Sequence, residues 1–364
     1  MTMWIAILVT VFVSLILGII YLVHSIGEFD KLKSIDEKWK RRLISFAIIL
    51  AASVISYLLL GLVNTIIILL HVILLFLFYG LIFRIIQAIR KKEFKINWQG
   101  WFALITAVLL LGSGYYLCHN VWQTDYNIAT SKKIEPLKVA LFADSHLSTT
   151  FEGDGFTKHI ETIKKQSPDM VVISGDFVDD DSKKKDLVKA CEALGSMNPK
   201  YGVWFAYGNH DAGFFKSRDF TAKELEDELK KNNVGVLKDD YQYVGDVCIV
   251  GRLDGSVNRD RKELSEILKD VDKSKYIVVL DHEPTDYEKE EKTSADIVLS
   301  GHTHGGQFFP INDVGRWTGA SDLVYGHEKR NNTDFIVTSG ISDWALDFKT
   351  GTKSEYVIVN VKSK

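Results

Sequence analysis

The first third of the sequence contains four apolar runs, each long enough to cross a lipid bilayer. They cover residues 3–23, 43–63, 66–89 and 100–118. A spanning helix needs about 20 apolar residues, because the hydrocarbon core of a bilayer is about 30 Å thick. The runs therefore predict an all-α membrane domain of about four transmembrane helices over residues 1–122. The break at Asn64 and Thr65 allows only a tight turn between the second and third helices.

A cleaved signal peptide is the alternative interpretation of the first run. It would need a basic segment before the run and a small-residue cleavage site after it. The sequence offers neither in convincing form, and further apolar runs follow. A first spanning helix is therefore the better interpretation.

The positions of lysine and arginine predict the orientation of these helices. Short cytoplasmic loops carry an excess of both residues. Lysine and arginine residues are concentrated at residues 31–42, after the first run, and at residues 90–95, before the fourth, whereas residues 119–130 contain none. We therefore expect a multi-pass protein of the cell membrane with both termini, and the whole C-terminal domain, outside the cytoplasm.

After a short polar linker at residues 123–135, short apolar runs alternate with charged amphipathic segments. The runs, which are rich in β-branched residues, cover residues 137–143, 170–174, 203–207, 276–280 and 297–299. Nearly continuous apolar runs of this length are typical of strands that are covered on both faces. The sequence therefore predicts an α/β domain over residues 136–364.

Two of the amphipathic segments begin with the pattern of a capping box. In this pattern a side-chain oxygen and a glutamate three residues later bond to the free N–H groups of a helix start. Thr221 with Glu224 and Asp260 with Glu263 both have the required spacing. We expect a helix to begin at each place.

Each predicted strand is followed at once by side chains that bind metal ions or phosphate. In chain order these groups are Asp144-Ser145-His146, Gly175-Asp176-Phe177-Val178-Asp179, Gly208-Asn209-His210-Asp211, Asp281-His282 and Gly301-His302-Thr303-His304. The carboxyl ends of strands in open α/β sheets form the crevice in which ligands bind. The five groups should therefore converge in space.

The residue types of these groups indicate a pair of divalent cations. Carboxylate and amide oxygens mixed with imidazoles suit manganese, iron or zinc. In an extended segment, residues two apart point the same way about 6.6 Å apart, so Asp144 and His146 can line one crevice, as can His302 and His304. This spacing fits cations about 3.5 to 4 Å apart. Asp176, on a turn that a glycine opens, is the natural carboxylate to bridge them.

The ordered set resembles the motifs of the calcineurin-like metallophosphoesterase superfamily. Those motifs are Asp-x-His, Gly-Asp-x-x-Asp, Gly-Asn-His-Asp/Glu, a lone His and Gly-His-x-His, and the resemblance covers roughly residues 139–307. It implies a β-sandwich flanked by helices. It also implies one metal held by Asp144, His146, Asp176 and His304 and a second held by Asp176, Asn209, His282 and His302. His210 is implied to face the substrate, with Asp179 orienting its ring.

Four features are closest to a bacterial membrane-associated subgroup of that superfamily. They are Gly305-Gly306-Gln307, His282-Glu283-Pro284, Ser339-Gly340 and the apolar N-terminus. The subgroup is similar to enzymes that cleave phosphodiester or pyrophosphate bonds of lipid-linked or nucleotide-linked compounds. It usually carries an arginine followed by Pro-Glu near its end, whereas residues 348–355 contain neither arginine nor proline. The resemblance therefore leaves the substrate open.

The function that we expect is hydrolysis of a phosphodiester or pyrophosphate bond of a lipid or cell-envelope compound, by water that two metals activate. Arg252, just after the apolar run at residues 248–250, is a candidate phosphate contact, although an ordinary surface ion pair would explain it as well. The net charge of -3 argues against a nucleic-acid partner. A broad phosphomonoesterase and a catalytically silent membrane sensor or scaffold remain as alternatives, and the complete ligand set argues against the latter.

Overall fold

The computed structural model describes residues 2–213 and 217–364, which fall into two units. One unit is Met1–Ser113 and the other is Gly114–Lys364. The first unit is built from the helices α1 (Thr2–Gly27), α2 (Asp30–Lys33) and α3 (Lys38–Arg90) and most of α4 (Trp98–His119). Among the described residues, three of these helices are long and apolar enough to cross a membrane.

Helix α3 is interrupted at Gly61, whose φ of 80° and ψ of 177° are not helical. The hydroxyl oxygens of Ser56 and Thr65 lie 3.0 Å apart across this residue. In a straight helix, nine residues would separate them by about 13.5 Å along the axis. The chain therefore reverses at Gly61, three residues before the expected break at Asn64, and divides α3 into two legs.

Apolar side chains of the first unit are sorted differently from those of a water-soluble domain. A small buried cluster joins Leu22, Ile49, Ile73, Phe76 and Ala103. Many other large apolar side chains are exposed, and Leu59 and Ile89 are each 76% exposed. Such an apolar exterior is expected of helices whose solvent is lipid.

The second unit contains twelve strands and seven further α-helices within the described residues. The strands are β1 (Val121–Thr130), β2 (Leu137–Phe142), β3 (Met170–Ser174), β4 (Val203–Ala206), β5 (Val234–Leu237), β6 (Asp240–Val244), β7 (Val247–Gly251), β8 (Tyr276–Leu280), β9 (Ile297–Ser300), β10 (Gly326–Arg330), β11 (Thr333–Val337) and β12 (Ser354–Ser363). The helices are α5 (Gly153–Lys164), α6 (Lys184–Gly195), α7 (Asn209–Ala212), α8 (Ala222–Lys231), α9 (Leu264–Ile267), α10 (Tyr287–Glu290) and α11 (Val314–Thr318), and a 3-10 turn spans His304–Gly306.

The strands form two six-stranded mixed sheets that pack face to face. One has the order β1-β12-β2-β3-β4-β5 and the other the order β10-β11-β9-β8-β7-β6. Leu141 of β2, Val172 of β3, Ile249 of β7 and Leu299 of β9 belong to one buried cluster between the sheets. Helices α5, α6 and α8 cover the outer face of the first sheet, and α9 and α10 cover that of the second. The predicted α/β sandwich flanked by helices is confirmed.

The five predicted strands are all present, as β2, β3, β4, β8 and β9. The structure differs from the linker expected at residues 123–135, because most of these residues lie in strand β1. This strand pairs in parallel with β12 over ten residues, from Val121 opposite Ser354 to Thr130 opposite Ser363. It is an edge strand in which Ile128 and Thr130 alone are buried. Its sequence is therefore polar enough to look like a linker.

One of the two expected capping boxes is confirmed and the other is wrong. The Thr221 hydroxyl accepts from the N–H of Glu224 at 3.2 Å, and the Glu224 carboxylate accepts from the N–H of Thr221 at 2.8 Å. Helix α9, in contrast, begins only at Leu264, and its N-cap residue Glu263 makes no capping bond through its side chain. Glu263 has extended backbone angles, so the helix does not start at Asp260.

Candidate metal centre

The turns after β2, β3, β4, β8 and β9 meet at one end of the sandwich. The hydroxyl of Ser174, at the end of β3, donates to the carbonyl of Leu299 in β9 at 2.7 Å, and so joins the two sheets at this end. The N–H of Asp144 donates to the carbonyl of Gly175 at 3.0 Å, which joins the turns after β2 and β3. All seven predicted metal ligands, together with His210 and Asp179, lie on these turns. The structure therefore brings nine of the ten predicted site residues together.

A first group of ligand atoms comes from Asp144, His146 and His304, and these atoms all lie within 4.8 Å of one another. The Nε2 atom of His146 lies 4.0 Å from Oδ1 of Asp144 and 3.8 Å from Oδ2 of Asp176. The Nε2 atom of His304 lies 3.6 Å from Oδ1 of Asp144. The four side chains thus surround one point.

A second group comes from Asp176, His282 and His302. The Nε2 atom of His282 lies 3.1 Å from Oδ2 of Asp176, and Nδ1 of His302 lies 3.3 Å from Nε2 of His282. The side-chain oxygen of Asn209 lies 3.2 Å from Nδ1 of His302. On its other side, the ring of His282 is held by the carbonyl of Ser174, 2.8 Å from Nδ1, which aims Nε2 at the group.

The geometry of the first group fits a shared cation better than direct hydrogen bonds. The Nε2 atom of His146 is buried and makes no hydrogen bond within the described residues. The distances of 3.8 and 4.0 Å from Nε2 to carboxylate oxygens are too long for hydrogen bonds. Two atoms that coordinate one ion at about 2.0–2.2 Å lie roughly 3–4 Å from each other. The nitrogen and oxygen donors also suit a divalent transition metal.

The ligands do not lie on extended backbone, so the predicted extended geometry of residues two apart is wrong. Five of the seven have a left-handed φ: Asp144 (53°), His146 (37°), Asp176 (51°), His302 (70°) and His304 (49°). Non-glycine residues rarely adopt this conformation, and it concentrates at functional sites where the surrounding structure compensates the strain. The side chains converge because the chain coils tightly after each strand.

Two glycines allow the turns to approach one another. A Cβ atom on Gly208 would collide with the Asp176 carboxylate and with the backbone nitrogen of Asp176. Gly175 has a φ of 83°, and a Cβ atom there would collide with the ring of His282. Gly208 is therefore needed for close contact, and Gly175 for both contact and conformation.

His210 and Asp179 lie beside the first group. Asp179 is placed between two rings, with Oδ1 at 2.9 Å from Nδ1 of His210 and Oδ2 at 3.2 Å from Nδ1 of His146. Burial alone would lower the pKa of His210, but the bond to Asp179 and the charge of Asp176 raise it to about 9. Burial opposes the ionisation of Asp179, yet its bonds to the two histidines lower its pKa below the usual range.

Two further acidic residues support the site, although sequence reasoning assigned them no role. The first, Asp211, accepts from the backbone N–H groups of Asp176 and Gly208, both at 2.8 Å, and from that of Val178 at 3.1 Å. It therefore joins two ligand-bearing turns. Its place in the Gly-Asn-His-Asp motif was the only signal in the sequence.

Asp343 is the second supporting residue. Its Oδ1 atom lies 3.4 Å from Nδ1 of His304, and Oδ2 accepts from the side chain of Gln307 at 2.5 Å. The buried ammonium of Lys349 lies 3.8 Å away. Burial raises the pKa of Asp343 to about 6. This residue comes from a loop without any periodic pattern, so no signal in the sequence could have found it.

Arg252 does not belong to the site, which corrects its prediction as a substrate contact. Its side chain is 1% exposed, and Nη1 donates to Asp281 at 2.6 Å, to Glu290 at 3.1 Å and to Asp286 at 3.2 Å. Arg261 also donates to Asp281 and Asp286, at 3.0 and 2.7 Å. The guanidinium is enclosed by these carboxylates and cannot reach a substrate. The alternative of an ion pair is right about the partners of Arg252 but wrong about the surface, because the pair is buried.

A sandwich whose strand ends present buried imidazoles and carboxylates around two points is a metal-dependent hydrolase by class. The family model described as calcineurin-like phosphoesterase matches residues 137–306. An uncharacterized metallophosphoesterase of Campylobacter jejuni is 31% identical over 287 residues, which are 76% of this chain and 73% of that protein. One from Aquifex aeolicus is 30% identical over 72% of this chain and 99% of its own length. The chain therefore belongs to the calcineurin-like metallophosphoesterase family.

Two observations support association with a membrane. A protein of Danio rerio named transmembrane protein with metallophosphoesterase domain is 26% identical over 71% of this chain and 61% of its own length. The apolar helices of this chain are long enough to cross a bilayer. Together they suggest that the chain is associated with a membrane.

Proposed function

We propose that this chain hydrolyses a phosphodiester or pyrophosphate bond of a lipid or cell-envelope compound with the help of two divalent cations. The position of Asp176 supports this proposal most directly. Its Oδ2 atom lies 3.1 Å from Nε2 of His282 and 3.8 Å from Nε2 of His146, within reach of both ligand groups. A carboxylate in this position can bridge two cations, as two-metal phosphoesterases require.

The seven ligands divide between the two cations as the family resemblance implies. Asp144, His146, Asp176 and His304 would hold one, and Asp176, Asn209, His282 and His302 would hold the other. When bound, the cations would lower the pKa of a water molecule and offset negative charge on the phosphoryl oxygens. Manganese, iron and zinc all suit this donor set.

His210 and Asp179 would serve the leaving group. The carboxylate of Asp179 fixes the ring of His210 through Nδ1. A protonated imidazole held beside the metal centre can donate a proton to the oxygen that leaves phosphorus. Asp179 also stabilises the charged ring, because it is itself held ionised by two histidines.

A catalytically silent sensor or scaffold is the candidate from another class. In a protein that never binds ions, the buried Nε2 atom of His146 would lose its bond to water without replacement. The hydrogen-bonded pair of His210 and Asp179 would likewise have no catalytic role beside a cluster of ligands that binds no ion. Both observations favour an active hydrolase.

Hydrolysis by purified protein tests the proposal. The full chain would be stripped of metal with a chelator and supplied with manganese, iron or zinc before addition of bis(4-nitrophenyl) phosphate or 4-nitrophenyl phosphate. We expect metal-dependent hydrolysis with the diester as the better substrate. A preference for the monoester would favour a broad phosphomonoesterase. Failure of every metal to support hydrolysis of either ester would contradict an enzymatic function.

We also propose four membrane spans with the catalytic domain outside the cytoplasm. The reversal at Gly61 supports two spans within α3, which with α1 and α4 make four. The basic residues at 38–42 and 90–95 support cytoplasmic positions for the loops that contain them. Protease added to intact cells should remove a tag at the C-terminus and spare a tag inserted at residues 34–37. The opposite pattern would reverse the proposed orientation.

A further inference from the structure

Large apolar side chains are exposed on the segment that follows the last two metal ligands. Phe309 is 59% exposed, Ile311 52%, Val314 45% and Trp317 67%. We call residues 309–317 the apolar rim. Scattered apolar residues are normal on a protein surface, but several large ones within nine residues indicate a contact surface.

The apolar rim is connected to the end of helix α4 through Thr350. The hydroxyl of Thr350 accepts from the N–H of Phe309 at 3.2 Å. Its methyl group packs on Gly114, where an added Cβ atom would approach it to 2.8 Å. The N–H of Lys349 donates to the carbonyl of Gly114 at 3.0 Å. Thr350 thus contacts both the apolar rim, at Phe309, and the last turns of α4, at Gly114.

The last turns of α4 carry the residues expected at a membrane surface. Tyr115, Tyr116 and, just beyond the helix, Trp122 are all exposed. Tyrosine and tryptophan are enriched where a spanning helix leaves the hydrocarbon. The apolar run of this helix ends at residue 118, which agrees with that position. The apolar rim should therefore lie near the level of the headgroups.

The segments around the apolar rim also contact the metal centre. Gln307 and Asp343 are hydrogen-bonded to each other, and Asp343 lies 3.4 Å from Nδ1 of His304. Next to Asp343, the half-exposed ring of Trp344 lies with its centroid 6.3 Å from that of His210. A bilayer that covered the rim would therefore lie close to the proposed catalytic groups.

We propose that the apolar rim inserts into the bilayer surface and that the metal centre takes its phosphate ester from a lipid of that same membrane. The inference rests on the proposed hydrolase function and adds the source of the substrate. A bilayer is the occupant that the structure favours, because the rim is continuous with the end of a helix that is apolar enough to span one. A soluble phosphodiester would need no such surface.

Fluorescence of a label on the rim tests the insertion. The full chain, with Trp317→Cys labelled by nitrobenzoxadiazole, would be reconstituted into phosphatidylcholine vesicles with or without doxyl-labelled phosphatidylcholine. The native cysteines Cys118, Cys191 and Cys248 are buried and should not react. Lys223→Cys, on the exposed side of α8, is the matched control.

The label at residue 317 should show a blue shift and lose most of its emission to doxyl lipid, and the label at residue 223 should do neither. Emission at residue 317 that doxyl lipid does not quench would overturn the insertion: without a blue shift the rim contacts water, and with one it contacts another protein.

Competition tests the source of the substrate. The reconstituted chain would hydrolyse bis(4-nitrophenyl) phosphate in vesicles of a phosphate-free galactolipid, with phosphatidylglycerol added either to the bilayer or as a short-chain soluble form. We expect inhibition by the bilayer form at a bulk concentration where the soluble form has no effect. The double variant Ile311→Ser, Trp317→Ser should weaken this inhibition. Equal inhibition by both forms, or by neither, would overturn the proposal.

The two tests separate failure of this inference from failure of the proposed function. Absence of any metal-dependent hydrolysis of the soluble diester would count against the function, whereas the fluorescence result would still decide whether the rim inserts.

Discussion

Two clusters of buried charged residues lie side by side in the second unit, and they differ in whether their charges are matched. They meet at the neighbours Asp281 and His282. In the first cluster, Arg252 and Arg261 face the carboxyl groups of Asp281, Asp286 and Glu290 at hydrogen-bonding distances. Burial and the charge of Asp281 raise the pKa of Glu290 well above its ordinary value. Each of the three carboxyl groups nevertheless lies within hydrogen-bonding distance of a guanidinium group.

The metal centre is paired only in part, because Asp176 has His282 at 3.1 Å whereas Nε2 of His146 has no hydrogen-bond partner within the described residues. The Asp144 and Asp176 carboxylates are both buried, and the Nε2 atom of His146 lies too far from them for hydrogen bonds. Burial of unmatched groups is costly unless a ligand completes their interactions. A buried cluster in which every charged side chain has a hydrogen-bonded partner thus stabilises the fold. A buried cluster that contains unpaired ligand atoms indicates a site for a metal ion.

Asp176→Asn should have the largest effect, because it removes the charge of the proposed bridge. We expect activity to fall to the background and the content of both metals, measured by atomic emission, to fall with it. Asp154→Asn on the exposed surface of α5 is the control and should retain both. Unchanged metal content in Asp176→Asn would contradict the two-metal model.

His210→Ala should leave the metals bound but slow hydrolysis by about two to four orders of magnitude, as loss of a general acid does. The measurement is kcat for a diester together with metal content. His159→Ala, on α5 where the ring packs on Phe151, should have near-normal kcat. If His210→Ala also turns over normally, its proposed role is wrong.

Arg252→Met tests the cluster in which the buried carboxyl groups are paired with arginines. It would leave the Asp281 carboxylate buried without its closest partner, at a cost of about 3–5 kcal/mol in the free energy of unfolding. Denaturant unfolding measures this cost, and the exposed Arg259→Met should change it by less than about 0.5 kcal/mol. A variant that unfolds like the wild type but has a higher KM would instead indicate that Arg252 contacts the substrate.

Asp343→Asn should have the smallest effect of the four. Loss of a carboxylate that supports a metal-binding histidine typically weakens metal affinity about 10–100-fold. Titration of metal-free protein with manganese measures this affinity, and Asp240→Asn, exposed on β6, serves as the control. An unchanged affinity would mean that Asp343 positions the loop and not the ring of His304.

The parts of the fold that depend on local pattern could be predicted from the sequence. The strands β2, β3, β4, β8 and β9 are largely buried on both faces, so each is a nearly continuous apolar run. The ligands follow at strand ends, where a short motif and the rule for parallel strands suffice to bring them together. The nine residues of the proposed centre were found in this way.

The remaining features depend on contacts between distant segments. The polar sequence of strand β1 indicates a linker, because an edge strand has one partner and a largely solvated face. The sequence indicates a phosphate contact for Arg252, because burial is not visible in a single residue type. Asp343 and Lys349 belong to a loop whose position depends on the folded sandwich. The left-handed backbone of the ligands is likewise a product of the surrounding packing.

The pairing of β1 with β12 has a consequence for biosynthesis. Val121 is opposite Ser354, so the first strand of the sandwich can pair with its neighbour only after the ribosome has added 233 more residues. Until then it lies at the end of α4 with both edges open, a state in which strands are prone to pair wrongly. Completion of the sheet should therefore require synthesis of residues 354–363, and a truncation before residue 354 should leave the protein open to cellular proteases.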